Sequence, residues 1–281
     1  MKKLLLGIAA VCLAGFTFAQ DAPLWMRHSV ISPDGTTIAF TYKGDIYTVP
    51  VAGGRAMQIT TNPAYDTAPV WSPDSKRIAF ASDRMGSLDV YTVAKDGGEP
   101  RRLTTHSGSE TPLAFTDAGH VLFSAGIMPS AEAVVFPSNG QFNQVYRVSV
   151  EGGRPTMISS MPMECISINK EGAMLYQDKK GYEDYWRKHH VSPIARDIWM
   201  YTPGKEPQYR QLTTFGGEDR EPVWAPDGKT FYYLSEENGS FNIYRRTPGD
   251  AKAVQLTHYT KNPVRYLSAA TDGRLCYGFD G

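Results

Sequence analysis

The sequence predicts an all-β chain, a six-bladed β-propeller whose sixth blade is truncated, and three recurring features predict it. The first is a short phrase, cleanest at Pro69-Val70-Trp71-Ser72-Pro73-Asp74-Ser75-Lys76-Arg77-Ile78-Ala79-Phe80. Its copies start at residues 32, 72, 116, 169, 225 and 270, in steps of 40, 44, 53, 56 and 45 residues. A period near 40–50 residues built from short strands marks a propeller blade. The second feature is a polar-aliphatic-aromatic triplet: Asp45-Ile46-Tyr47, Asp89-Val90-Tyr91, Gln144-Val145-Tyr146, Asp197-Ile198-Trp199 and Asn242-Ile243-Tyr244. The third is an aliphatic-hydroxyl pair some dozen residues later: Ile59-Thr60, Leu103-Thr104, Ile158-Ser159, Leu212-Thr213 and Leu256-Thr257.

Each unit therefore holds an inner, a second, a third and an outer strand. In the Ser-Pro-Asp turn between the first two, Pro presets φ and Asp bonds the backbone just beyond it. The second strands carry an aromatic at one register, namely Phe40, Phe80, Phe123, Tyr176, Tyr233 and Tyr277. A side-chain period of two puts Ile78 and Phe80 on one face and Ala79 on the other. Gly53-Gly54, Gly97-Gly98 and Gly152-Gly153 supply the hairpin turns before the outer strands. One such sheet is apolar on both faces, so it must be stacked in a ring to hide them. The blades are expected at about 25–61, 67–105, 111–160, 164–214, 220–258 and, in part, 264–281. The sixth unit holds only Val264 to Ser268 and Arg274 to Phe279 before Gly281. A repeat that stops inside a unit leaves an unpaired edge, and the expectation is that these 281 residues are part of a longer protein.

Residues 1–19 read as an export signal: Lys2 and Lys3, an apolar run from Leu4 to Phe18, then a small-residue cleavage site at Thr17-Phe18-Ala19. Cleavage near Ala19 would release residues 20–281 as a periplasmic or secreted propeller, with no membrane association afterwards. Lys plus Arg and Asp plus Glu are 29 each, a formal net charge of +0, which argues against nucleic acid and anionic membranes as partners. Cys165 and Cys276 fall in the fourth and sixth units, which are not neighbours, so two buried, unpaired thiols are expected.

The units differ in one respect. Ala125 to Asn143 separates the second and third strands of unit three, and Lys179 to Arg196 does so in unit four. These two long connections should stand side by side on one face of the ring, where long loops are commonly functional. In the second of them, acids precede bases, and Glu183/Arg187 and Asp184/Lys188 are spaced i,i+4. The spacing predicts a helix of about two turns with Tyr182, Tyr185, Trp186 and His189 on one face. Tyr182, Tyr185, Trp186, Arg187, Lys188, His189 and His190 are the candidate substrate- or partner-binding residues. Adjacent histidines on a helix diverge by about 100°, so a metal site at His189-His190 is not expected.

Catalytic motifs do not occur. There is no Gly-x-Ser-x-Gly elbow and no His-Glu-x-x-His. Gly228-Lys229-Thr230 lacks the upstream glycine of a phosphate loop, where Val223 stands instead. No cofactor, no metal and no catalytic residue is expected within the chain.

The units Trp71-Ser72-Pro73-Asp74 to Phe80, Asp89-Val90-Tyr91 and Leu103-Thr104 resemble the propeller repeat of TolB, tricorn protease and dipeptidyl-peptidase relatives. More specifically, Tyr185-Trp186-Arg187-Lys188-His189-His190 through Arg196-Asp197-Ile198-Trp199, with Phe136-Pro137-Ser138 and the export signal, resembles the N-terminal propeller of bacterial tricorn-like proteases. That resemblance implies a longer parent with a second propeller, a PDZ domain and a C-terminal serine peptidase core of the tail-specific type. It implies propellers that admit and guide peptide substrates, and a nucleophile beyond residue 281. The partners it implies are peptide or protein substrates, the downstream domains of the parent chain and other copies in a homo-oligomer. A stand-alone TolB-like periplasmic binding propeller is the alternative, though TolB places an α/β domain before its propeller and blade one begins almost at once here. A hydrolase built into the channel would need carboxylates or metal ligands on the inner strands, which instead read Val-Trp-Ser and Leu-Ala-Phe.

Overall fold

The computed structural model describes residues 25–126, 143–181 and 191–279. Twenty of their strands form five four-stranded antiparallel sheets. Blade one is β1 (Arg27–Ile31), β2 (Thr37–Tyr42), β3 (Asp45–Pro50) and β4 (Met57–Gln58). Blade two is β5 (Asp66–Trp71), β6 (Arg77–Ser82), β7 (Asp89–Ala94) and β8 (Arg101–Arg102). Blade three is β9 (Glu110–Asp117), β10 (His120–Ala125), β11 (Gln144–Ser149) and β12 (Thr156–Ser159). Blade four is β13 (Met163–Ile168), β14 (Met174–Asp178), β15 (Ile198–Thr202) and β16 (Gln208–Gln211). Blade five is β17 (Asp219–Trp224), β18 (Phe231–Ser235), β19 (Asn242–Arg246) and β20 (Val254–Gln255). A further two-stranded sheet joins β21 (Arg265–Ala269) to β22 (Leu275–Gly278).

The propeller thus has five blades, which corrects the expectation of six with the last truncated. The sixth repeat is real as a sequence, but its two strands lack the third and outer members that make a blade. The two-stranded sheet still closes the circle. Inner strands touch in succession from β1 through β5, β9, β13 and β17 to β21, and β21 returns to β1. The closing seam is bonded: Ile31 N donates to Ser268 Oγ at 3.1 Å, and Thr271 donates its N–H and Oγ to Pro33 O at 2.9 and 2.7 Å.

The repeated phrases each have a structural cause. In blade two, Asp74 Oδ1 accepts Ser72 Oγ at 2.6 Å and Lys76 N at 3.1 Å, so the Ser-Pro-Asp turn is tied by its own side chains. Blade one repeats this with Ser32, Asp34 and Thr36. The aromatic register becomes a cross-strand stack: Phe40 on Tyr47, Phe80 on Tyr91 and Phe123 on Tyr146, with centroids 5.8, 5.8 and 5.6 Å apart. The triplet and the hydroxyl pair turn out to be one device. Thr60 Oγ1 accepts Ile46 N at 3.0 Å and donates to Asp45 at 3.2 Å, lashing the two-residue outer strand to the third. Thr257 with Ile243 and Asn242 does the same in blade five, at 2.9 and 3.0 Å.

The core lies between blades. Ala39, Ile46 and Ile59 of blade one pack on Trp71, Ile78, Phe80, Tyr91 and Val93 of blade two, and later interfaces repeat the plan. Trp71 Nε1 donates to Val30 O and Trp224 Nε1 to Ala173 O, at 3.0 and 3.1 Å, pinning each inner strand to the preceding blade. Cys165 and Cys276 are unpaired, as expected, but neither is buried: Cys165 is exposed and Cys276 partly so. The reason for Cys276 is that the sheet it belongs to lacks outer strands to cover it.

Candidate functional site

Every second-to-third connection leaves from the end of the sheet at which Asp66 pairs with Ser82, Glu110 with Ala125 and Asp219 with Ser235. Both long connections depart from that end. Ala125 pairs with Gln144 at the stem of one, and Gln177 with Ile198 at the stem of the other. Their middles, including Tyr182, Tyr185, Trp186, Arg187, Lys188, His189 and His190 and the helix expected there, lie outside the described residues.

The stem of the blade-four connection is held by charge. Lys180 Nζ donates to Asp197 Oδ2 at 2.5 Å and to Ala195 O at 2.7 Å, and sits 3.5 Å from Asp178. Asp178 in turn accepts Asp197 N at 2.8 Å and Trp199 Nε1 at 3.1 Å. Burial works against the Lys180 charge, but hydrogen bonds to Asp197 and the charge of Asp178 hold its pKa above the ordinary lysine value.

Behind this stem, an alternating chain of charges crosses from blade four to blade five. Lys179 Nζ lies 3.4 Å from Glu164, which accepts Gln177 Nε2 at 3.0 Å and Arg196 Nε at 3.1 Å. Arg196 Nη1 donates to Glu218 Oε1 at 2.5 Å, and Arg220 Nη2 donates to the other Glu218 oxygen. Arg220 is 1% exposed, and its guanidinium carbon sits 4.9 Å from the centroid of the Phe241 ring. Burial raises the Glu164 pKa, yet Arg196, Gln177 and Lys179 together hold it below the ordinary range. Each carboxylate of this wall is thus answered by a cation.

The inner strands beside this wall carry bulges. Register slips occur at Arg27/Val30, Thr67/Val70, Glu164/Ser167, Arg220/Val223 and Arg265/Ser268. In each slip one non-glycine residue takes positive φ: His28, Ala68, Cys165, Glu221 and Tyr266, at 50–58°. At the closing seam His28 Nδ1 lies 3.2 Å from Thr67 Oγ1, and its ring is 5.1 Å from that of Tyr266. Burial, with the Arg27 charge, lowers the His28 pKa to about 4, so the imidazole is neutral at pH 7.

Among the described residues there is no cluster of His, Cys, Asp and Glu able to hold a metal ion.

One buried acid gives the protein a pH dependence. Burial raises Asp219 to about 7, against opposing hydrogen bonds from Ser235 and Thr213. The folded chain then keeps a proton that the unfolded chain releases near pH 4. This contribution to stability is full below about pH 4 and is lost as pH rises to about 7. Glu110 shifts in the same direction, also chiefly by burial, to about 7. Urea titrations of Asp219→Asn should therefore show a gain over the parent at pH 8 that vanishes near pH 4. An equal effect of the substitution at both pH values would contradict the assignment.

A closed circle of antiparallel sheets, five of them four-stranded, defines the chain as a β-propeller. The family model for the tricorn protease N-terminal β-propeller domain matches residues 23–281, and the chain belongs to that family. It is 26% identical over 263 residues to tricorn protease homolog 1 of Streptomyces coelicolor, covering 92% of this chain and 23% of that protein. The tricorn protease homolog of Saccharolobus solfataricus is 22% identical, with 89% of this chain and 22% of that one covered. Among solved structures, the tricorn protease superposes with a TM-score of 0.73 at 19% identity, over 92% of this chain and 24% of the other. TolB from Acinetobacter baumannii gives 0.62 at 15% identity, over 88% of this chain and 64% of its own. The chain spans about a quarter of the length of the tricorn relatives it matches.

Proposed function

We propose that this chain is the N-terminal propeller of an exported tricorn-like serine peptidase. In this role it admits or guides peptide substrates and scaffolds the assembly, while the catalytic residues stand elsewhere in the parent. The observation that carries the proposal is the family match over residues 23–281. In this reading residues 1–19 direct export to the periplasm or beyond, and Tyr182 to His190 engage peptide or protein partners.

Extending the reading frame tests the proposal most directly: further repeats, a PDZ pattern and a serine peptidase core are expected, and an early stop codon would remove the idea. At the protein level, Tyr185→Ala with Trp186→Ala should weaken peptide binding about tenfold or more while urea stability is unchanged. Lost stability with unchanged binding would make that stretch architecture only. The likeness to TolB favours a second reading, a stand-alone envelope propeller that recruits proteins; it requires the chain to end at or near Gly281 and to be monodisperse.

A further inference from the structure

Four inner strands are tied at their start by one backbone bond to the blade before. Asp66 N donates to Gly44 O at 2.7 Å, Glu110 N to Leu88 O at 2.7 Å, Asp219 N to Arg196 O at 3.0 Å and Val264 N to Phe241 O at 3.0 Å. In every case the acceptor stands just before the polar member of the third-strand triplet. The tie therefore sets residue 66 beside Asp45, residue 110 beside Asp89, residue 219 beside Asp197 and residue 264 beside Asn242. Two carboxyl groups meet at three of these seams, and an amide meets Val264 at the fourth.

Each acidic seam holds one cation. Between blades one and two, Arg84 binds both Asp66 oxygens at 3.0 Å, while Asp45 is half-buried and accepts Thr60 and Gln58, so both acids are answered. The seams between blades two and three and between blades four and five differ. Arg102 pairs with Asp89 at 2.8 Å and Lys180 with Asp197 at 2.5 Å, and no second cation pairs with Glu110 or Asp219 among the described residues. Those two side chains are 1% and 2% exposed. No hydrogen bond of ordinary geometry reaches either Glu110 oxygen, or Asp219 Oδ1, among the described residues. The charged groups facing Glu110 are Asp89 and Arg102, with Thr104 and the His106 backbone as polar neighbours. Those facing Asp219 are Asp197 and Glu237, with Thr213 and Ser235. Burial chiefly, with the neighbouring acids adding to it, raises both carboxyl groups to about 7. Both seams also adjoin the long connections: Ala125, the partner of Glu110, begins one stem, and Asp197, held by Lys180, ends the other.

We propose that these two seams are proton-operated latches. With Glu110 and Asp219 protonated the blades close. When either acid gives its proton to solvent, a second negative charge faces Asp89 or Asp197 across a space with one cation. The seam then opens locally and loosens the stem of the long connection beside it. The closed seam keeps a proton that the open seam releases in the ordinary carboxylate range, so closure is favoured at low pH and lost as pH rises through about 7. This inference is independent of the function proposed above.

Hydrogen exchange at the four bonded amides reads each seam separately in the whole chain. After correction for intrinsic rates, the protection factors of the Glu110 and Asp219 amides should fall about tenfold between pH 6 and pH 8, the effect of one carboxyl per seam. Those of Asp66 and Val264 should stay constant. Glu110→Gln should abolish the fall at its own seam and leave the one at Asp219, and Asp219→Asn should do the converse. Asp89→Asn leaves Arg102 to Glu110 alone, and should shrink the fall there to about threefold or less. An equal fall at all four amides would mean general loosening and would overturn the latches, as would a fall at the first seam that survives Glu110→Gln. Recovery of protection at pH 8 by millimolar calcium would overturn them too, because a metal rather than a proton would then close the seam.

Discussion

Replacing Phe80 with Ala should lower the unfolding free energy by about 3–5 kcal/mol in urea denaturation, the cost of emptying a packed aromatic site. Phe80 is 0% exposed and stacks on Tyr91 at 5.8 Å, and the cluster around it draws on two blades. The guanidinium of Arg84 lies 5.6 Å from the Phe80 centroid and 4.4 Å from that of Tyr91, and its bonds to Asp66 at 3.0 Å fix it there. The lid over the ring is thus rigid, and the site cannot collapse to fill the void. Phe40→Ala, the same substitution in the same register one blade earlier, should cost less, about 2 kcal/mol, because its cavity would open onto the groove beside β22. A Phe80 loss below about 1 kcal/mol, or equal losses at the two sites, would mean that blade stacking is not the main source of stability.

This contrast also shows which parts of the fold can be read from the chain. The Ser-Pro-Asp turns, the stacked aromatic pairs and the Asp–Thr lashings are local or one hairpin away, so each blade writes them afresh and repetition exposes them. The charged wall is different. Glu164 and Arg220 share one place in their units, just before the bulge, but the residue type there varies (Arg27, Thr67 and Arg265 elsewhere), and only the ring brings blade four against blade five. One signal was present, the run Glu218-Asp219-Arg220-Glu221 where an inner strand begins, since four charges entering a buried strand require partners. The bulges at His28, Ala68, Cys165, Glu221 and Tyr266 are backbone events with no shared residue type, so nothing in the sequence marks them. The number of blades also differs between the two views for a physical reason. Counting phrases yields six, but a blade exists only when four strands pair, and the last repeat pairs two.

Substituting Glu218 with Gln should cost about 3–5 kcal/mol, comparable to the loss of Phe80 although it changes no volume. Glu218 is 0% exposed, and its two oxygens separately engage Arg196 and Arg220. Gln keeps the shape but removes the negative charge, leaving two buried guanidinium groups facing each other across an amide. Arg196 keeps Glu164 at 3.1 Å and Arg220 lies 1% exposed against Phe241, so both remain buried charges that Glu218 no longer balances. Glu218→Leu combined with Arg220→Met should accordingly recover part of the loss, with a coupling energy above about 1 kcal/mol in a double-mutant cycle, since apolar replacement of both partners removes the desolvation cost as well as the attraction. The penalty should also persist at 1 M salt, because mobile ions do not reach a pair enclosed by protein. Breaking the exposed pair Arg101–Glu151 should cost roughly 0–1 kcal/mol and fade with salt. A Glu218→Gln loss that disappears in high salt would show that water enters between blades four and five, and their charged contact would then be a hydrated surface rather than a fixed support for the blade-four stem.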